Sequence, residues 1–128
     1  MIDHTGVIVR DFGTSKEFYA RALAPLGYAL LMEFPAAVTG HTDVAGFGEL
    51  QKPDFWISQG SPNKPPMHIA FQVSRRALVD AFYHAALAAG GRDNGAPGLR
   101  PQYHPDYYGA FVLDPDGHNI EAVCHTPA

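Results

Sequence analysis

The sequence predicts an α+β fold made of two βαβββ modules in tandem. Three observations carry the prediction. Two amphipathic helical segments recur at a constant offset, a strand precedes each of them, and an Asp-Pro-Asp-Gly turn divides the last two strands. The first module is expected over residues 1–60 and the second over 65–126, in a single domain of 128 residues.

The opening strand spans Asp3–Val9. Residues 14–26 then place Phe18, Ala22 and Leu26 on one helical face. Thr14 and Glu17 read as a capping box at its start, and Gly27 as its stop. Three strand-like stretches follow at Tyr28–Phe34, Asp43–Gly48 and Asp54–Ser58. The second module opens with a strand at Met67–Val73. A helix over 75–89 follows, with Leu78, Phe82, Ala85 and Ala89 on one face, Ser74 as N-cap and Gly90-Gly91 as the stop. Asp93–Pro105, rich in Gly and Pro, reads as a long loop with room for a short strand. Tyr107–Leu113 and His118–Cys124 read as strands around Asp114-Pro115-Asp116-Gly117. In that turn Pro fixes φ and Gly permits positive φ; the later ligands of a calcium loop are missing.

The helices look duplicated. Phe18-Tyr19-Ala20-Arg21-Ala22-Leu23-Ala24-Pro25-Leu26-Gly27 matches Phe82-Tyr83-His84-Ala85-Ala86-Leu87-Ala88-Ala89-Gly90-Gly91 at an offset of 64, without a gap. The same offset pairs His4 with His68 and Val9 with Val73 in the preceding strand. Alanine-rich helices resemble one another by chance, so the extension into the strand is what favours duplication.

Bulk properties narrow the function. Hydrophobic residues make up 46% and charged residues 17%, an ordinary globular balance, and the net charge of −4 gives no basic field for nucleic acid or an anionic membrane. No signal-peptide pattern opens the chain and no apolar run could span a bilayer. The single cysteine, Cys124, excludes an intramolecular disulfide and is expected buried in a strand, which favours the cytoplasm.

Strand alternation selects the candidate metal ligands. His4, Gly6 and Ile8 share one face, as do His68, Ala70 and Gln72, and duplication is expected to set His4 opposite His68. On the last strand Glu121 shares a face with Asn119 and Val123 and not with His118, so His118 and Glu121 cannot chelate together. His4, His68 and Glu121 would leave open positions on a divalent ion, although strand histidines are more often packed or hydrogen-bonded than ligating. His41 and His84 read as surface residues and His125 as solvated. His104 lies in Arg100-Pro101-Gln102-Tyr103-His104-Pro105-Asp106-Tyr107-Tyr108, dense in donors and aromatics. That stretch reads equally as a loop that orders over a ligand or as one packed by its own tyrosines. On the first reading Tyr103 and His104 are candidate acid–base groups, and Arg100, Tyr107 and Tyr108 candidate substrate contacts. Trp56 lines a pocket or fills the core.

Several motifs resemble the vicinal-oxygen-chelate superfamily of glyoxalase, bleomycin-resistance and extradiol dioxygenase domains. Met1-Ile2-Asp3-His4, Ser15-Lys16-Glu17-Phe18-Tyr19 and Leu26-Gly27-Tyr28 resemble its opening, and His68-Ile69-Ala70-Phe71 its second module. Phe111-Val112-Leu113-Asp114-Pro115-Asp116-Gly117-His118-Asn119-Ile120-Glu121 is the most specific match, to its C-terminal signature. The resemblance covers essentially the whole chain. It implies curved mixed sheets, each module forming a half-barrel, with His4, His68 and Glu121 on one divalent ion (Fe, Mn, Ni or Zn). It implies a lyase, isomerase or dioxygenase type of enzyme acting on a small oxygenated substrate, with Glu121 also a candidate for proton exchange. A metal-free, drug-sequestering module of the same fold is the alternative. Open edges and concave faces call for a homodimer, with modules paired within one chain or exchanged between two. Relatives resembling bacterial glyoxalase I carry a second carboxylate on the strand equivalent to that of Glu121. The 64-residue offset puts Ile57 there, so a three-ligand site without true glyoxalase I activity is expected; an insertion that shifts the alignment by a residue or two would bring in Asp54 or Glu49 instead.

Overall fold

The computed structural model describes residues 1–128 and contains two sheets of identical order. In the first, β1 (Thr5–Val9), β4 (Lys52–Gln59), β3 (Val44–Glu49) and β2 (Ala29–Phe34) lie side by side in that order. In the second the order is β5 (His68–Gln72), β8 (Asn119–Cys124), β7 (Tyr108–Leu113) and β6 (Arg92–Leu99). β1 runs parallel to β4 and β5 parallel to β8, and every other pairing is antiparallel. Each module is therefore βαβββ, with α1 (Phe12–Ala22) and α3 (Arg76–Ala88) as the two long helices.

Alternation along the strands sends one face of each sheet to the helices. Val7, Val9, Ala45, Phe47, Phe55 and Ile57 from the first sheet join Phe71, Ala110, Val112, Ile120 and Ala122 from the second. Phe18, Tyr19 and Ala22 of α1, Val79, Phe82 and Ala86 of α3, and Leu23, Val73 and Cys124 complete one continuous cluster of 20 buried residues. Phe55 and Phe71 meet edge-on at 5.4 Å across the module boundary. Both modules thus share a core on the helix side, and the opposite faces of both sheets remain open.

Local departures from the sequence expectations have local causes. Asp11, not Thr14, caps α1: its carboxylate accepts from the Thr14 backbone N–H at 3.0 Å, so Thr14 lies inside the helix. Leu26 falls in a separate 3₁₀ turn, Ala24–Leu26, closed by Gly27 at φ 87°. α3 begins after Arg75 without a side-chain cap, so Ser74 does not serve as one. A four-residue helix, α2 (Ala36–Thr39), was not foreseen. The expected loop at Asp93–Pro105 is largely β6, an edge strand interrupted by register shifts around Gly95. An edge strand tolerates Pro97, because an imide there forfeits no inward ladder bond.

The Asp-Pro-Asp-Gly turn joins the modules. Gly117 takes φ 89°, and Asp114 Oδ1 accepts from the N–H groups of Asp116 and His118. Asp114 also accepts from the buried Tyr19 hydroxyl of the first module, and Asp116 from the Arg10 N–H. His118 is fully buried, its Nδ1 accepting from Met67 N–H at 2.9 Å and its Nε2–H donating to the Ile8 carbonyl at 3.0 Å. One imidazole therefore bridges β1 of one module and the start of β5 of the other. No helix is long and apolar enough to cross a membrane.

Candidate functional site

Strand register decides which residues of the two open faces correspond. On the second sheet Ala70, Glu121 and Phe111 form one cross-strand row; on the first, Gly6, Trp56 and Gly46 form the matching row. The counterpart of Glu121 is therefore Trp56, and the expectation of Ile57 is corrected. β1 maps onto β5 at an offset of 64 residues, but β4 maps onto β8 at 65, the separation of Trp56 and Glu121. With a side-chain period of two, that single residue moves the position to the other face. Ile57 is fully buried on the helix side.

His68, Tyr103, Tyr107, Phe111 and Glu121 line a cleft of about 370 Å³ on the open face of the second sheet. Glu121 is only 1% exposed. Its Oε1 accepts from His68 Nε2–H at 2.8 Å and its Oε2 from the Tyr107 hydroxyl. Both oxygens of a buried carboxylate are thereby satisfied, as desolvation demands. Gly109 leaves room for the arrangement: a Cβ there would lie 3.2 Å from the Tyr107 ring and 3.3 Å from Glu121 Oε2. Burial, and then the hydrogen bond and charge of Glu121, push the Tyr107 hydroxyl well above its ordinary pKa, so it stays a donor. The donor chemistry suits a metal of intermediate softness. His68 Nε2 and Glu121 Oε1 are separated by roughly the 3 Å expected of adjacent ligands with bonds of about 2.1 Å.

The other candidates are dispersed. His4 is exposed on the first module, its Nδ1 paired with Asp3 at 2.7 Å, and that pairing together with Lys52 lowers the Asp3 pKa. No three His, Cys, Asp or Glu side chains of a single chain converge closely enough to hold an ion, so His4 does not face His68 and Glu121 within one chain. Tyr103 is 61% exposed at the mouth of the cleft, its ring 4.9 Å from that of Tyr107. His104 sits outside the cleft lining, bonded to His125 at 2.8 Å and accepting from Asp106 N–H. It buttresses Tyr107 and does not reach Glu121's cleft, which corrects its assignment as an acid–base group. Arg100 is used internally, its guanidinium donating to the carbonyls of Ala96 and Gly98 over the Phe111 ring. Tyr108, one residue from Tyr107, points to the helix side. There its hydroxyl donates to Asp80 at 2.7 Å beneath Arg76, so it makes no substrate contact. Trp56 lies on the open face and not in the core, stacked with Phe34. His41, His84 and His125 are exposed and Cys124 is buried. Phe111 was missed by sequence reasoning; its place two residues from Gly109 and four from Tyr107 on one strand face was the available signal.

Residues 1–122 match the model of the Glyoxalase/Bleomycin resistance protein/Dioxygenase superfamily. No curated protein matches the chain. Among solved structures, a glyoxalase/bleomycin resistance protein from Albidiferax ferrireducens T118 is 25% identical, with a TM-score of 0.77 over 97% of this chain and 98% of that one. A mutant of the fosfomycin resistance protein FosX from Listeria monocytogenes, complexed with Mn(II) and 1S,2S-dihydroxypropylphosphonic acid, is 18% identical. Its TM-score is 0.71 over 98% of this chain and 93% of that one. A mutant of glyoxalase I from Zea mays is 20% identical, with a TM-score of 0.70 over 95% of this chain and 46% of the longer one. The likeness to these last two concerns the fold alone.

Proposed function

The chain belongs to the glyoxalase/bleomycin resistance protein/dioxygenase superfamily, and on that premise we propose that it is a divalent-metal-dependent enzyme acting on a small oxygenated substrate. The observation that carries the reading is the convergence of His68 Nε2 and the buried Glu121 carboxylate in one cleft. His4 is the proposed third ligand, supplied by a second copy in a homodimer with exchanged modules. The whole chain acts as one domain, in the cytoplasm. FosX, complexed with Mn(II), supports a divalent ion in this fold without naming the metal here.

A divalent ion bound there would stabilise negative charge developing on substrate oxygens as a Lewis acid. The chain's own residues do the rest. Tyr107 holds Glu121 in place through Oε2 and leaves Oε1 toward His68. Phe111 and the Tyr103 ring wall the cleft, and the exposed Tyr103 hydroxyl is placed to donate to a substrate oxygen. Glu121, once released from His68, is the base available for proton exchange. The chemistry is of lyase, isomerase or dioxygenase type.

A second reading has its own observation. Both Glu121 oxygens are already satisfied by protein donors, which suits a metal-free binding or drug-sequestering cleft. Calorimetric titration of the chelator-dialysed protein with Mn(II), Fe(II), Ni(II) and Zn(II) separates the two. Binding weakened tenfold or more in each of His4→Ala, His68→Ala and Glu121→Gln supports the enzyme. Absence of binding by all four ions sinks it in favour of the binding module.

A further inference from the structure

We infer that His104 and His125 form a positioning pair that clamps Tyr107 onto Glu121 only while both imidazoles are neutral, so that acid opens the cleft. His104 Nδ1 accepts from the Asp106 backbone N–H at 3.1 Å. A backbone N–H can only donate, so that nitrogen carries no proton, and in a neutral imidazole the proton then sits on Nε2. His104 Nε2–H therefore donates to His125 Nδ1 at 2.8 Å, which leaves the proton of His125 on its own Nε2. The nitrogens still able to take a proton, His104 Nδ1 and His125 Nδ1, are each already accepting from an N–H. A proton on either one sets two donors face to face and breaks a hydrogen bond of the pair. The adjacent Asp106 carboxylate lies 4.0 Å from Arg76 of α3, and neither imidazole is paired with an acid that would hold the added charge.

The pair bears on the cleft through Tyr107. The His104 ring meets the Tyr107 ring at 5.5 Å and 71°, and the His125 ring meets it at 5.3 Å and 80°, so both imidazoles pack edge-to-face on the phenol. The clamped ring lines the cleft and its hydroxyl donates to Glu121 Oε2. His125 follows directly on β8, the strand that bears Glu121, while His104 belongs to the loop between β6 and β7. The hydrogen bond between the two histidines therefore ties that loop to the strand of the carboxylate. The ionisable side chains packed around the pair are Tyr103, Asp106 and Tyr107 of its own loop, Arg76 of α3 behind Asp106, and Glu121 of β8 behind Tyr107. His68 of β5 is the other imidazole that bears on Glu121. Breaking the tie frees the loop, takes a donor from a buried carboxylate and opens one wall of the cleft. The inference takes from the proposed function only that the Glu121 cleft is the working site; it needs no metal.

Nuclear magnetic resonance of the protein tests it. At about pH 8 the nitrogen signals of both rings should report neutral imidazoles with the proton on Nε2, and the Tyr107 ring should show Overhauser contacts to both. At about pH 5 those contacts should be lost. Amide exchange in residues 103–107, corrected for its intrinsic pH dependence, should then be about tenfold faster. In His125→Ala the loop should exchange at the faster rate at both ends of the titration. His68→Gln, which alters the other imidazole on Glu121, should keep the response. A proton on His104 Nδ1 at the alkaline end, contacts that survive in acid, or a response that persists in His125→Ala and disappears in His68→Gln overturns the clamp. Should His125→Ala fail to fold, the ring tautomers and the response of the unaltered chain and of His68→Gln still decide. Absence of divalent-metal binding with the acid response intact removes the metal reading and leaves the clamp standing.

Discussion

Glu121 and Trp56 hold equivalent places in the two modules, and the difference between a carboxylate and an indole there bears directly on chemistry. The family's four-ligand isomerase pattern needs a second carboxylate at this position to take and return a proton. Trp56 cannot do so. Asp54, two residues away on β4, accepts the Tyr28 hydroxyl on both oxygens and lines a separate cavity with Tyr28, Ile69 and Phe71. We therefore expect no turnover of the methylglyoxal–glutathione hemithioacetal above the uncatalysed rate with Mn(II), Ni(II) or Zn(II), followed by absorbance of the thioester product. Robust turnover abolished by Glu121→Gln would overturn this and make Asp54→Asn the next variant to assay. Strand alternation put His68 and Glu121 among the residues able to converge on one face, because the period of two is rigid. It misplaced the Glu121 counterpart because the duplicated halves differ in length by one residue, which no helix match reveals. Tyr108 was misassigned for a related reason: in a strand, adjacent tyrosines cannot serve the same cleft.

Among the elements, the helices and inner strands were legible because their patterns are enforced by a shared core. β6 was not. Its Gly95, Pro97 and Gly98 are loop formers, and it is a strand only because β7 offers a ladder on one side. The loop between β6 and β7 is packed by its own side chains, Tyr107 against Tyr103 and His104, and His104 also stacks on His125 beyond the end of β8. The link between modules was also invisible in sequence, since His118 was read only as the wrong neighbour for Glu121. In the fold it satisfies two main-chain groups, Met67 N–H and the Ile8 carbonyl, from opposite sides of the junction. Removing it strands a donor and an acceptor in a buried place, each at a cost of about 1–3 kcal/mol. His118→Ala should lower stability by about 2–4 kcal/mol in urea unfolding, allowing for partial rehydration. A loss below about 0.5 kcal/mol, typical of neutral surface changes, would show that the junction does not depend on this bridge.

At the scale of the whole molecule, the duplication was readable but its geometry was not. The repeat suggested that His4 and His68 meet, within one chain or across two. Within one chain the helix-side core uses up the surface through which the modules touch, and both open faces point away from it. The exposed sheet edges differ. β6 is broken by two register shifts and Pro97, while β2, with one shift between Leu30 and Met32, offers Leu30, Met32 and Phe34, each 38–42% exposed. An apolar edge strand beside an open face is a surface for another copy of the chain, and a twofold pair covers both copies at once. Light scattering at micromolar concentration should give the dimer mass. Subunit mixing then separates exchanged modules from modules paired within a chain. His4→Ala and Glu121→Gln dimers are each defective at both sites when His4 comes from one chain and His68 with Glu121 from the other. Mixed through reversible dissociation, about half the dimers become heterodimers. Each heterodimer holds one doubly defective site and one intact site, so about a quarter of all sites recover. Tight Mn(II) binding regained at about that stoichiometry supports exchange. If the three ligands come from a single chain, every site in the mixture keeps one defect and no tight binding returns.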